Sequence, residues 1–185
     1  LGWEEAQEIW RRFDLAIGNR LRLFWGATRT VTARDVDAEL DRLKDSMGWM
    51  PGIIVIDYAD ILAPESGSGR DFRHQENARW EALRRLSQDW ECCVVTATQS
   101  TRETYRKRLI SEGDASEDKR KAAHVTAMFG LNKDAHDRRR GWMRINPVFV
   151  RDDDYDPFDQ VAVLQLLQRG MPNLGSWWWM KKSEE

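Results

Sequence analysis

The segment Ile53-Ile54-Val55-Ile56-Asp57-Tyr58 constrains this chain more than any other. Four consecutive β-branched residues do not alternate with polar ones, as the residues of a half-solvated strand do. Such a run reads as a strand buried on both faces of a parallel sheet, because crossover helices cover parallel strands on each side. An acid placed directly after the run stands at the carboxyl edge, where open α/β sheets bind their ligands.

Helix and strand signals alternate around that run. Glu4 to Ile17 reads as an amphipathic helix with Ile9, Trp10, Phe13 and Ile17 on one face. Leu21 to Trp25 reads as a short strand. Thr32-Ala33-Arg34-Asp35 has the form of a capping box, with Asp in place of Glu or Gln. It opens a helix carrying Val36, Leu40, Leu43 and Met47, which Gly48 and Pro51-Gly52 stop. Pro64 to Gly69 has the composition of a flexible loop. A second long helix is expected from about Phe72 to Trp90, with Leu83, Leu86 and Trp90 inward. Cys92 to Thr98 then reads as another buried strand, ending at Gln99. The stretch 101–123 is polar and carries both signs of charge. Val125 to Leu131 is a further strand candidate. Met143 to Val150 and Val161 to Leu167 form a late strand pair around the acidic turn Asp152-Asp153-Asp154. The alternation predicts an α/β fold: a largely parallel twisted sheet flanked by helices.

A length of 185 residues suits one domain. A formal net charge of −2 provides no global basic excess, so any nucleic-acid contact must be local. Cys92 and Cys93 are neighbours on a strand and point to opposite faces. They read as buried thiols of a reducing compartment, not as a disulfide. No signal peptide and no 18-residue apolar run is present, which predicts a cytoplasmic protein with no membrane partner. The sequence starts at Leu1 without Met, which suggests a fragment, a processed chain or a trimmed one. Ten Trp is high for this length, and Trp177-Trp178-Trp179 cannot all face one core. The expected division is a domain over 1–176 and a Trp-rich tail over 177–185. That tail would pack on a neighbouring subunit or a partner. Base stacking is an alternative, with only Lys181 and Lys182 to support it.

Two residues are placed to do chemistry. The Asp57 carboxylate can reach a magnesium ion through its water shell; the plain alternative is an acid capping the turn after a core strand. Gln99 ends the next predicted strand, which would bring both side chains to one sheet edge. A glutamine there can hydrogen-bond a γ-phosphate or an attacking water; the alternative is a polar strand end facing water. His74, His124 and His136 lack metal-ligand spacing, and no Ser/His/Asp arrangement has positional support. The phosphate-binding loop G-x-x-x-x-G-K-[ST] is nowhere in the sequence.

These residues carry a family resemblance. Ile53 to Leu62 resembles the Walker B segment of DnaB-type replicative helicases, whose ATPase domain is RecA-like. Thr98-Gln99-Ser100-Thr101-Arg102 is similar to that family's S-Q-x-x-R segment, with Thr for Ser. The helix Asn77 to Trp90 and the stretch Leu1 to Trp49 fall in the family's order. The resemblance implies a RecA-like sheet incomplete at its N-terminal side, with the P-loop and catalytic glutamate before Leu1. It implies ATP and Mg2+ as cofactors, with Asp57 positioning the metal and Gln99 sensing the γ-phosphate. Arg151 falls where the family has an arginine finger directed at the neighbouring subunit, and Phe149 stands at the family's lysine position. The alternative for Arg151 is pairing with Asp152 to Asp154.

The resemblance further implies a DNA-facing loop after Gln99. Arg102, Arg106, Lys107, Arg108, Lys119, Arg120 and Lys121 are its candidate phosphate contacts, diluted by Glu103, Glu112, Asp114, Glu117 and Asp118. A solvated charged face is the alternative. Residues 67–70 are a second candidate loop. The implied activity is ATP-driven translocation on single-stranded DNA by a hexameric ring. Without a P-loop this chain alone would be inactive. The rival reading is a nonenzymatic RecA-like interaction or scaffold module; a recombinase or clock-type ATPase is a third.

Overall fold

In the computed structural model, residues 2–18, 20–67, 71–100, 104, 107–111, 114 and 119–179 are described; at 119, 120, 178 and 179 this extends to the backbone only. Helix α1 (Trp3–Ile17) forms as its periodicity predicts, and Gly18 closes it in the left-handed conformation at φ 59°. Its apolar stripe is not covered: none of its residues is buried, and Trp10 and Phe13 remain about half exposed. The Leu21–Trp25 segment is not a strand. A strand needs a ladder partner for its backbone, and here Leu23, Phe24 and Trp25 stand out to solvent.

Helix α2 (Ala33–Met47) begins with the anticipated capping box. The Asp35 amide donates to the Thr32 hydroxyl at 3.1 Å, and the Thr32 amide donates to the Asp35 carboxylate at 2.8 Å. Those bonds, from the Thr32 amide first and its hydroxyl second, lower the Asp35 pKa. Strand β1 (Ile53–Ile56) follows, and then α3 (Phe72–Asp89) and β2 (Cys93–Thr96). β1 and β2 pair in parallel, Ile53 opposite Cys93 through Ile56 opposite Thr96. Ile54 packs with Leu40 of α2 and with Leu86 and Trp90 of α3. The Trp90 indole N–H donates to Asp37 at 2.7 Å and ties α3 to α2.

Both helices lie on one side of this sheet. The other side is open, with Ile53 63%, Val55 72% and Val95 47% exposed. The expectation of burial on both faces is therefore corrected to burial on one. Sequence hydrophobicity marks a residue that can be covered; a second layer has to be present to cover it.

The remaining elements are helix α4 (Lys119–His124), β3 (Ala127–Asn132), α5 (Ala135–Arg140), β4 (Trp142–Val150), β5 (Gln160–Leu166) and β6 (Met171–Trp179). The last four strands form a second sheet in the order β3-β4-β5-β6, every pair antiparallel. The largely parallel sheet is thus a two-stranded parallel sheet beside a four-stranded antiparallel one. Connections of this length close antiparallel pairs, whereas a parallel crossover takes a dozen residues or more. The β3–β4 register shifts between Met128 and Phe129, opposite Pro147, which has no N–H for the ladder.

Gly130 sits where a Cβ would meet Asn146 Oδ1 at 2.7 Å, so the close approach of β3 to β4 requires glycine. Trp177 to Trp179 belong to β6, opposite Ala162, Val161 and Gln160. The Trp177 ring stacks on Trp142 with centroids 5.8 Å apart.

Candidate functional site

The ends of β1 and β2 meet as their parallel register requires. Asp57, exposed, follows β1; Gln99, also exposed, lies three residues beyond β2. The two segments are joined by side chains. The Gln99 amide group donates to the Tyr58 hydroxyl at 3.0 Å. The Gln99 backbone N–H donates to Asp60 at 2.9 Å, as does the Thr98 hydroxyl. Asp60 lies in the 3-10 turn Ala59–Ile61 directly after Asp57. It therefore fixes the backbone carrying Gln99 to the turn carrying Asp57. The Asp57–Tyr58 peptide is cis.

Beneath this edge lies a buried charge cluster that sequence reasoning missed. Glu76 and Arg79 of α3 form an ion pair with both side chains about 5% exposed. Lys121 of α4 reaches into the same cluster. Its ammonium donates to Thr98 Oγ1 at 2.8 Å, lies 3.6 Å from Asp60 and 3.9 Å from Glu76, and sits 5.6 Å from the Trp80 ring centroid. The signal was available: Glu76, Arg79, Trp80 and Leu83 fall at i, i+3, i+4 and i+7 on one helix face. Charged residues inside an apolar stripe are buried and paired, or they are an error of reading.

The DNA-contact candidates divide. Lys121 is corrected: its ammonium faces inward to Thr98, Asp60 and Glu76, so it is not presented to a phosphate backbone. Lys107 is exposed and pairs with Asp114, whose carboxyl burial would raise but the bonds from Lys107 and Ser111 hold down. Arg108 is exposed. Arg102 and Arg106 lie outside the described residues, as do the side chains of Lys119 and Arg120 and residues 68–70 of the second candidate loop.

Arg151 does not pair with Asp152 to Asp154. Its guanidinium donates to the carbonyls of Ala122 (3.2 Å), Ala123 (2.8 Å) and Val125 (3.1 Å), at the C-terminus of α4. A cation there satisfies orphan carbonyls and the negative end of the helix dipole. The Arg151 guanidinium also sits 5.8 Å from the Phe149 ring centroid. The neighbouring His124 bonds Asn77 at 3.2 Å; burial lowers its pKa, Glu81 opposes this, and Arg84 and Arg151 add to it.

Asp134, His136 and Asp137 bring three potential metal-ligand atoms within 4.8 Å of one another. The Arg144 guanidinium already donates to both carboxylates, at 3.1 and 2.7 Å, and supplies the positive charge that group calls for. No described helix is long and apolar enough to cross a membrane.

No protein-family model matches the sequence, and no curated protein matches it. Solved structures do match its fold. The ATPase domain of a DnaB-like replicative helicase is 15% identical, with a TM-score of 0.65 over 78% of this chain and 52% of that one. A second DnaB-like replicative helicase, solved with its interactions with primase, is 16% identical, with a TM-score of 0.64 over 85% of this chain and 39% of that one. The chain thus spans about half or less of the length of these structures, and at such identity the likeness is one of fold.

Proposed function

We propose that this chain is part of the ATPase domain of a DnaB-type helicase, RecA-like in fold, whose parent couples ATP hydrolysis to translocation on single-stranded DNA. The observation that carries the reading is the joined edge: Asp57 and Gln99 end neighbouring parallel strands and are tied through Tyr58 and Asp60. The fold likeness to helicase ATPase domains supports it.

The residues present fit a nucleotide with its metal. The Asp57 carboxylate is exposed at the strand end, as a ligand to a hydrated cation must be. Bound ATP and Mg2+ would supply the transferable phosphoryl group and the charge that balances it. In this reading Asp57 holds the metal's water shell. Gln99, with its backbone held by Asp60, presents its amide to the phosphate or to the attacking water. Displacement of Gln99 would be felt at Lys121 through Thr98, and so at α4. A role for Arg151 in a hexameric ring requires it to exchange the α4 carbonyls for a neighbour's phosphate. Arg102, Arg106, Lys107, Arg108, Lys119 and Arg120 remain the proposed DNA contacts, in a cytoplasmic protein.

The test is single-stranded-DNA-stimulated ATPase activity of the full-length parent, native and Asp57→Ala. Activity lost in Asp57→Ala, with an unchanged circular dichroism spectrum, is the expected result. An active folded variant removes Asp57 from the mechanism. A folded parent with no activity moves the assignment to the nonenzymatic interaction module.

A further inference from the structure

A cavity of about 1250 Å³ separates the two sheets. Its walls include the consecutive residues Cys93 to Ala97 on one side and Ala127 to Leu131 on the other. Side chains of a strand alternate between faces. A cavity lined by every residue of a strand therefore runs along the strand's edge, not over one face. β2 has β1 on one side and no described strand on the other, and β3 ends its own sheet. Two open edges, each with backbone N–H and C=O groups to satisfy, thus border one space. Val95, Phe129 and Leu131 are exposed along it, at 47%, 57% and 59%. Two buried donors on α3, Arg79 Nε and Trp80 Nε1, also belong to residues lining the cavity and have no acceptor.

We infer that this cleft is a receptor for one extended apolar polypeptide segment, which enters as a β-strand and joins β2 to β3. The inference does not rest on the nucleotide reading. A strand inserted between two edges must have both of its own edges free. Each of the six described strands already has a neighbour, so a folded second copy of the chain offers none. The occupant is therefore a segment from outside these 185 residues. Matching β2 and the lined part of β3 takes four to six residues, about 13–20 Å of strand. Its backbone carbonyls or a polar side chain would serve the two α3 donors.

Cys93 is a built-in reporter, since it is exposed, unpaired and lines the cleft, whereas Cys92 is buried. The experiment appends Val-Ile-Val-Ile-Val to the full chain before Leu1 through a 20-residue Gly/Ser linker. Such a linker extends to roughly 70 Å, against a radius of gyration of about 16 Å for a domain this size, so every part of the surface is within reach. The control carries Pro at the third strand position, which removes a ladder donor and fixes φ. The rate of Cys93 alkylation by iodoacetamide is measured on the monomeric fraction of each.

The expected result is alkylation at least ten-fold slower in the strand fusion than in the proline control, with a higher Tm. Equal rates overturn the inference. If the apolar strand makes the fusion oligomeric, Val-Thr-Val-Thr-Val keeps the backbone ladder with less hydrophobicity, and the same comparison decides.

Discussion

Replacing Glu76 with Gln tests the buried cluster on which the candidate site rests. Glu76→Gln keeps the side-chain volume and removes the charge. Arg79 is then left about 95% buried without its anion, and its Nε already lacks an acceptor. Lys121 loses one of its two carboxylate neighbours and keeps Asp60 at 3.6 Å. Breaking a buried pair by removing one partner costs about 3–5 kcal/mol, because the surviving charge has been taken out of water without compensation. Unfolding entropy near the midpoint is about 2.1 cal/mol/K per residue, or roughly 390 cal/mol/K for a chain of this length. The lower figure of about 3 kcal/mol therefore lowers Tm by about 8 °C. The assay is differential scanning calorimetry at pH 7.5, with Glu8→Gln as the control. Glu8 pairs with Arg11 on the open surface, and its loss should leave Tm unchanged. The double variant Glu76→Leu/Arg79→Met should recover most of the loss, since matched apolar residues replace buried pairs at little cost. A Tm for Glu76→Gln within about 2 °C of the native chain refutes the reasoning, for it would mean that water reaches the pair.

Two further outcomes follow from the packing. Gly130→Ala should destabilise the chain by about 1–3 kcal/mol, read from urea denaturation, because its Cβ would strike Asn146, which is 1% exposed and cannot withdraw. His124 should make stability depend on pH. Burial lowers its folded pKa below the ordinary 6.5, so the unfolded chain takes up the proton first as pH falls. Its contribution is full above 6.5 and is lost between that value and the lower folded one. Tm should thus drop more between pH 7.5 and 5.5 in the native chain than in His124→Gln, and equal drops would contradict this.

The sequence was most legible where one local pattern was sufficient. The run Ile53–Ile56, the Thr32–Asp35 capping box and the apolar face of α3 each depend on neighbours in the chain, and each formed. The failures share a cause of the opposite kind. Leu21 to Trp25 has strand composition but finds no ladder partner. Lys121 has the composition of a solvated face, yet its carboxylate partners lie 45 and 61 positions earlier. Arg151 stands next to three aspartates and bonds instead to carbonyls 26 to 29 residues away. Sequence proximity suggested the wrong partner because exposed ion pairs contribute little, whereas a helix terminus offers a cation several acceptors at once.

The open edges and the open faces are separate demands on whatever completes this fold. A strand in the cleft satisfies backbone groups of β2 and β3, but it lies in the plane of the sheets and leaves their uncovered faces as they are. Ile53, Val55 and Val95 are each half to three-quarters exposed, and covering them would contribute about 1–2 kcal/mol apiece. Only a second layer packed face-on can do that. The strand must come first. Until β2 and β3 are joined, the open face is divided by a cleft and offers no continuous surface for a layer to seat on. The physical sequence of assembly is therefore edge before face. A chain denied the strand keeps both liabilities, and its exposed edges then favour self-association.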